Sequence, residues 1–304
     1  MTSKIHGLWP AMLTPLDKSG NIDAARAIAH ARRLLETGSQ GVTIFGTTGE
    51  GPAFSAAERK ALLQAMVDAG IKPAQLIVGT SATAMPDAVE LSQQAANLGC
   101  AAVLFFPPFY FAQPSDEGVV AAVSELIDKV ASKRLRVMLY HIPQLTRISY
   151  SMHAVAELAR LHPKQLIGIK DSTGDRLHSL KLAQTFPRLS VHVGSELDIE
   201  RTMQAGGTGT ICGLANIAPH LLARVVAAGA SGKALARRDQ EAMERMLGLI
   251  GSDHFLAVFK TVLAEQLGDP AWRRMRLPVL PLPAERAKQV VKAYRAIAAA
   301  YPDL

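Results

Sequence analysis

The run Leu166-Ile167-Gly168-Ile169-Lys170-Asp171-Ser172 decides how the chain is read. It begins as a buried strand and ends on an amine, and an acid and a hydroxyl follow where strand gives way to loop. Strand neighbours that exclude water disfavour the charged form of such an amine and leave a nucleophile toward a carbonyl. A lysine free in water is neutral in well under about one part in a thousand near pH 7. Burial and a positioned proton shuttle must therefore supply the reactivity. A strand-end lysine that only lays its stem on apolar surface and its head in water fits the same run, so Lys170 needs partners.

Outward from this run, short apolar stretches recur at 8–13, 41–45, 75–79, 101–106, 136–140, 190–194 and 209–212. Segments of helical spacing alternate with them, among them 21–37, 55–69, 115–131, 151–161 and 175–186. Ser55 with Glu58 fits a capping box, and Gly38, Gly70 and Gly99 stand where helices stop. Strands alternating with helices predict a parallel sheet covered by helices. Eight such units need about 230 residues, the size of a (β/α)8 barrel, in which reactive groups stand at the carboxyl ends of strands. The fold class is thus α/β: a (β/α)8 TIM barrel over residues 1–229, followed by a C-terminal helical region over 230–304. That region carries helices around 233–250, 254–267 and 284–300, with the proline-rich piece 277–283 running extended between the last two. A doubly wound sheet is the rival, and it gives less reason for several strand-end motifs to converge.

Composition removes several function classes. With 304 residues, 49% of them hydrophobic, the chain can bury a large core. Cys100 and Cys212 lie far apart in apolar stretches, so no disulfide framework or zinc knuckle is indicated. No uncharged apolar run reaches the roughly 18 residues of a membrane span, and residues 1–9 lack a charged segment leading into an apolar one. A cytoplasmic protein with no membrane partner is expected. The net charge of +7 is spread over short groups such as Lys133-Arg134-Leu135-Arg136, and at 5% aromatic content no stacking platform is interleaved with them. Nucleic acid is not the expected partner. The nine histidines show no close ligand spacing, so no metal and no cofactor are expected, and a chelator should leave activity intact. The glycines 206–209 precede a strand where a dinucleotide loop would follow one.

Two further strand ends carry chemistry. Gly46-Thr47-Thr48-Gly49-Glu50 follows a strand and leads to the helix starting near Ser55. Small residues there let backbone N–H groups approach a carboxylate, and the two hydroxyls add donors or pass a proton. It is not a P-loop, since no Gly-Lys-Ser/Thr follows. Tyr140-His141-Ile142-Pro143-Gln144-Leu145-Thr146-Arg147 ends another strand, with a phenol suited to acid and base work.

These three motifs, in this order, resemble the dihydrodipicolinate synthase/N-acetylneuraminate lyase superfamily of pyruvate-dependent class I aldolases. The resemblance runs from Gly7 through the helical tail and takes in Pro107-Pro108-Phe109-Tyr110 and the stretch 206–216. It implies that Lys170 forms a Schiff base with the ketone of pyruvate or a larger 2-oxo acid. Thr47, Thr48 and the backbone at Gly46 would hold the substrate carboxylate, Thr47 joining a proton relay with Tyr140 at its centre. Tyr110 is similar to the tyrosine that family members insert across a dimer interface, and a homo-oligomer, dimer or tetramer, is implied. Gly194 and Ile211 lie where the pocket is commonly lined. The imine supplies the electron sink, so no organic cofactor is needed.

The chain departs from the synthases at Leu145, where an arginine holds the carboxylate of the aldehyde substrate. Losing such a charge-assisted contact costs more than about 1.5 kcal/mol of binding, and Arg147, two positions on, is the candidate substitute. Ala56, Arg59, Thr83 and Phe109 replace the residues of the synthases' lysine feedback site, so that inhibition is not expected. The tyrosine motif is nearer to the neuraminate and sugar-acid lyases, although His141 replaces their usual asparagine and Arg147 a common glycine. The leading expectation is a Schiff-base lyase that makes or breaks a C–C bond beside the imine of a 2-oxo acid, with an aldehyde or sugar-acid partner. The alternatives are a 4-hydroxy-tetrahydrodipicolinate synthase using pyruvate and aspartate semialdehyde, a sugar-acid dehydratase using the same imine, and a non-catalytic binder of a 2-oxo acid.

Overall fold

The structure is a computed structural model that describes residues 4–304. The reading of the amino terminus reaches back to Met1, and its first three residues lie outside that range. In chain order the elements are β1 (Gly7–Leu8), α1 (Ala24–Glu36), β2 (Val42–Ile44), α2 (Ala56–Asp68), β3 (Leu76–Gly79), α3 (Met85–Leu98) and β4 (Ala102–Phe105). Next come α4 (Asp116–Val130), β5 (Val137–His141), α5 (Pro143–Thr146), α6 (Met152–Leu161), β6 (Leu166–Asp171), α7 (Arg176–Thr185) and β7 (Ser190–Val193). The barrel ends with α8 (Ile199–Gln204), β8 (Gly209–Thr210) and α9 (Pro219–Ser231), and α10 (Arg237–Gly248), α11 (Phe255–Leu267) and α12 (Ala284–Ala300) follow.

Helix ends follow the local chemistry. Asp23 caps α1 by accepting from the Arg26 N–H, Ser55 and Glu58 form the full capping box of α2, and Gly99 ends α3 in the left-handed conformation. Parallel ladders run in the order β2-β3-β4-β5-β6-β7-β8-β1. Closure between β1 and β2 comes from a parallel bridge of Ala11 with Thr43 and from Thr43 N donating to Pro10 O at 2.8 Å. That closure rules out the doubly wound alternative.

Most strands end a residue or two inside the predicted stretches, and the first and last are cut to two residues each. The stretch 8–13 is a strand only at Gly7–Leu8 plus the bridge at Ala11, because Pro10 has no N–H to give to a ladder. The stretch 209–212 narrows to Gly209–Thr210, although Ile211 N still donates to Val193 O at 3.2 Å. The proline-rich connector also differs, since it opens with a turn at 277–278 before running without regular structure into α12.

Trp9, Ile77, Leu104, Met138, Tyr140 and Ile211 pack inside the barrel, while Val137, Leu139 and Ile169 face the helix layer. A further cluster joins Leu8, Leu13 and Leu222 to Phe259 of α11 and Val290 of α12, so the C-terminal helices share apolar core with the β1/β8 side. Both cysteines are free and buried, and burial pushes the Cys100 thiol up to about 12.

β5 and β6 contain an irregularity. Val137 pairs with Leu166 and Met138 with Gly168, so β6 carries one extra residue, Ile167, before the register resumes at Tyr140 with Lys170 and His141 with Asp171. Leu166 faces the helices, and strict alternation from it would send Lys170 the same way. The extra residue reverses the parity and turns Lys170 inward beside Tyr140.

Candidate active site

The carboxyl ends of the strands converge as the barrel geometry requires. Lys170, on β6, is 4% exposed, and its Nζ stands 4.3 Å from the centroid of the Tyr140 ring. Tyr140, on β5, is buried, and its hydroxyl shares a 2.9 Å hydrogen bond with Thr47 Oγ1. Amine, phenol and hydroxyl therefore form a continuous line across β6, β5 and the loop after β2. A small cavity at Thr47 and Tyr140 is also lined by Phe45, Gly46, Ser81 and Phe106.

The loop after β2 is held from several sides. Gly51 N donates to Gly46 O at 3.1 Å and Glu50 N to Thr47 O at 3.0 Å, while Thr14 Oγ1 donates to Gly49 O at 2.7 Å. Phe45 takes φ of 58°, and its carbonyl turns against Gly51 and Gly79, where an added Cβ would sit 2.0 and 2.2 Å from that oxygen. Only glycine permits that approach. Among the described residues, neither the Thr47 nor the Thr48 N–H donates to a backbone carbonyl, so both remain free for an anion. Thr48 is buried.

Glu50 is left-handed at φ 55°, and its buried carboxylate pairs with Lys260 of α11, a fully buried amine that also donates to Arg274 O at 3.0 Å. Arg59 is buried as well, donating to Ser81 O at 2.9 Å and to Gly79 O, and burial lowers its guanidinium to about 10. It braces the end of β3.

Gly194 donates its N–H to Asp171 O at 2.7 Å, which sets it beside the end of β6, and Ile211 is fully buried in the barrel interior. The remaining sequence candidates lie further out. Leu145 is 61% exposed on α5, and Arg147 is exposed at its C-cap with φ of 54°, where its carbonyl accepts from Gln113 N at 3.2 Å. Tyr110 is 78% exposed with its ring against Phe111. The single chain therefore gathers Lys170, Tyr140, Thr47, Thr48, Gly46, Gly194 and Ile211, and leaves Leu145, Arg147 and Tyr110 at the surface.

Sequence reading missed Ser81, Phe106 and Glu196. Each follows a strand end, after β3, β4 and β7 respectively, which is the signal that would have found them. Ser81 Oγ accepts from Phe106 N at 2.8 Å. Glu196 accepts from Leu214 N at 3.0 Å, and burial raises its carboxyl above the usual range even with that hydrogen bond and the charge of Lys170 within reach.

Comparison with known proteins bears on this arrangement. The sequence matches the profile of the dihydrodipicolinate synthetase family over residues 4–297. It is 35% identical over 295 residues to an uncharacterized DapA-like lyase of Chloroflexus aurantiacus, covering 97% of each chain. It is 32% identical over 241 residues to a 4-hydroxy-tetrahydrodipicolinate synthase of Rhizobium meliloti, covering 77% of this chain and 79% of that one. Among solved structures it overlays on dihydrodipicolinate synthase from Agrobacterium tumefaciens with a TM-score of 0.88 at 31% identity, covering 96% of this chain and 99% of that one. YagE, a prophage protein of the same family from E. coli K12 in complex with pyruvate, gives a TM-score of 0.87 at 25% identity over 97% of this chain and 99% of its own.

Proposed function

The chain belongs to the dihydrodipicolinate synthetase family, and from that premise we propose that it is a Schiff-base lyase in which Lys170 forms an imine with pyruvate or a related 2-oxo acid. The observation that carries this reading is the line from buried Lys170 and Tyr140 to half-buried Thr47. The amine attacks the keto carbon, and the phenol delivers and removes the protons that carbinolamine formation and dehydration require. Thr47 holds the phenol and passes its proton on. The free N–H groups of Thr47 and Thr48, with the Thr48 hydroxyl, take the substrate carboxylate. The protonated imine then draws electrons from the neighbouring carbon, so that a methyl proton is lost and the enamine attacks an aldehyde, or a 4-hydroxy-2-oxo acid releases its aldehyde in reverse.

For the second substrate, Leu145 offers no charge, and Glu196 places an acid within electrostatic reach of the amine. Both disfavour a partner with a second carboxylate and suit a hydroxylated aldehyde or sugar acid. The synthase reading stays in play because a relative at 32% identity carries that name. Tyr110 and Phe111, 78% and 86% exposed, support a homo-oligomer in which this edge meets another copy. We further take the protein to be cytoplasmic. Among the described residues no helix is long and apolar enough to cross a membrane.

Incubation with pyruvate and borohydride, followed by intact mass, tests the imine. A gain fitting one reduced pyruvyl adduct in the wild type, and none in Lys170→Ala, is expected. No adduct in the wild type would remove pyruvate as the imine-forming substrate. Turnover with aspartate semialdehyde at rates above those with hydroxylated aldehydes would replace the lyase reading with the synthase.

A further inference from the structure

The residue after each catalytic partner faces the other way. Tyr140 and Lys170 turn into the barrel, and the next pair in register, His141 and Asp171, turns outward to the first turn of α7, where His178 meets it. Asp171 Oδ2 lies 3.0 Å from His178 Nδ1, and Oδ1 lies 3.4 Å from His141 Nδ1. The two imidazole centroids are 4.9 Å apart, and ligand atoms of all three residues lie within 4.8 Å of one another. The carboxylate is braced, with Ser179 Oγ donating to Oδ2 at 2.6 Å and Thr173 N to Oδ1 at 3.2 Å.

His141 is not satisfied in this way. It is 4% exposed, and neither ring nitrogen makes a hydrogen bond among the described residues, the 3.4 Å approach to Asp171 included. A neutral imidazole carries one donor and one acceptor, and burying both idle is costly. An ion lying between the three groups would take up a lone pair that has no other use here.

We propose that His141, Asp171 and His178 form a site for a divalent transition-metal ion of the zinc class, tying β5 and β6 to α7 on the outer face of the sheet. Two imidazoles and a carboxylate are a donor set such ions accept, with bonds of about 2.0–2.1 Å. Donors on a tetrahedron of that size stand about 3.3 Å apart, and each imidazole already lies near that distance from one carboxylate oxygen, His178 at 3.0 Å from Oδ2 and His141 at 3.4 Å from Oδ1. The widest pair, at up to 4.8 Å, closes with about 1.5 Å of imidazole movement. Ser179 and Thr173 act as the outer hydrogen bonds that orient a ligating carboxylate. His178 is half-buried and marks the way in. The site lies across the sheet from the Lys170 amine, so it serves the placement of the strand ends, and the imine chemistry does not pass through it.

The test uses untagged protein stripped with a chelator, dialysed, and titrated with zinc chloride by calorimetry, with cobalt(II) visible bands as the report of ligand geometry. One ion per chain is expected, together with a rise of about 5 °C in the melting temperature of the metal-free protein. His141→Asn and His178→Asn should each weaken binding by about tenfold or more. Circular dichroism would establish that they remain folded, and the half-buried His178 is the safer position should His141→Asn not fold. Absence of stoichiometric binding, or equal affinity in the wild type and a folded variant, would overturn the proposal.

Discussion

Tyr140 sits between the two groups that the proposed reaction has it serve, with Lys170 Nζ over its ring and Thr47 Oγ1 on its hydroxyl. Removing the hydroxyl leaves the amine in place, so Tyr140→Phe should still be trapped by borohydride, only slowly, while kcat falls by about 10²-fold or more. Thr47→Val should cost about tenfold, and the double variant should be little worse than Tyr140→Phe alone, since both changes cut one relay. Steady-state kinetics on the three variants would expose an additive pattern, which would mean the two hydroxyls act separately. These residues were legible because each is a chemistry-bearing side chain at a strand end. Glu196 was not, since its character comes from burial and from a bond to Leu214, neither of which spacing encodes.

At the scale of elements, the loop after β2 is fastened to α11 by the pair Glu50 and Lys260, 210 positions apart in sequence. Burial lowers the Lys260 amine, and the Glu50 charge opposes that. Removing one partner strands a charge in the core. Lys260→Met should lower the unfolding free energy by about 3–5 kcal/mol, and Glu50→Gln with Lys260→Met should recover most of it. Denaturant melts of the two variants check this, and a double variant no more stable than the single would show that the charge pair is not the cause. The helices α2, α4 and α6 were readable from their serine caps and spacing because those signals are local. The pairing of α11 with a strand-end turn was not, because it is a contact of long range. The over-long β1 prediction has a local cause instead, since apolar character continued past Pro10 although the ladder could not.

Across the whole molecule, two buried histidines make the fold sensitive to acid. His30, whose Nε2 donates to Asn216 Oδ1 at 2.9 Å, and His192, on β7, are both held down to about 3, chiefly by burial. A histidine whose folded pKa is depressed gives stability that is intact above the unfolded value of about 6.5 and lost as pH falls toward 3. Each should cost roughly 2 kcal/mol at pH 5 relative to pH 7.5. Denaturant midpoints across that window should fall with a slope approaching two protons per chain, and a flat profile would contradict neutral burial of the two rings. The barrel itself was legible from the alternation of apolar runs, whereas closure was not, because it depends on Thr43 meeting Pro10 and Ala11.

The extra residue in β6 has a consequence for inheritance. Deleting Ile167 would place Lys170 three positions after Leu166, and plain alternation would then send the two to opposite faces, leaving Lys170 in the barrel where it already points. Loss of the Ile169 codon, with the bulge kept, would instead put Lys170 in the place of Ile169 and turn it to the helices, an inert barrel whose functional side chains all remain in the gene. A folded Ile167 deletion should still gain a pyruvyl adduct and a folded Ile169 deletion should not, and the opposite pair of results would show that the bulge does not set the direction of Lys170. Descendants of this gene are therefore better judged by the spacing between the bulge and Lys170 than by the survival of the lysine.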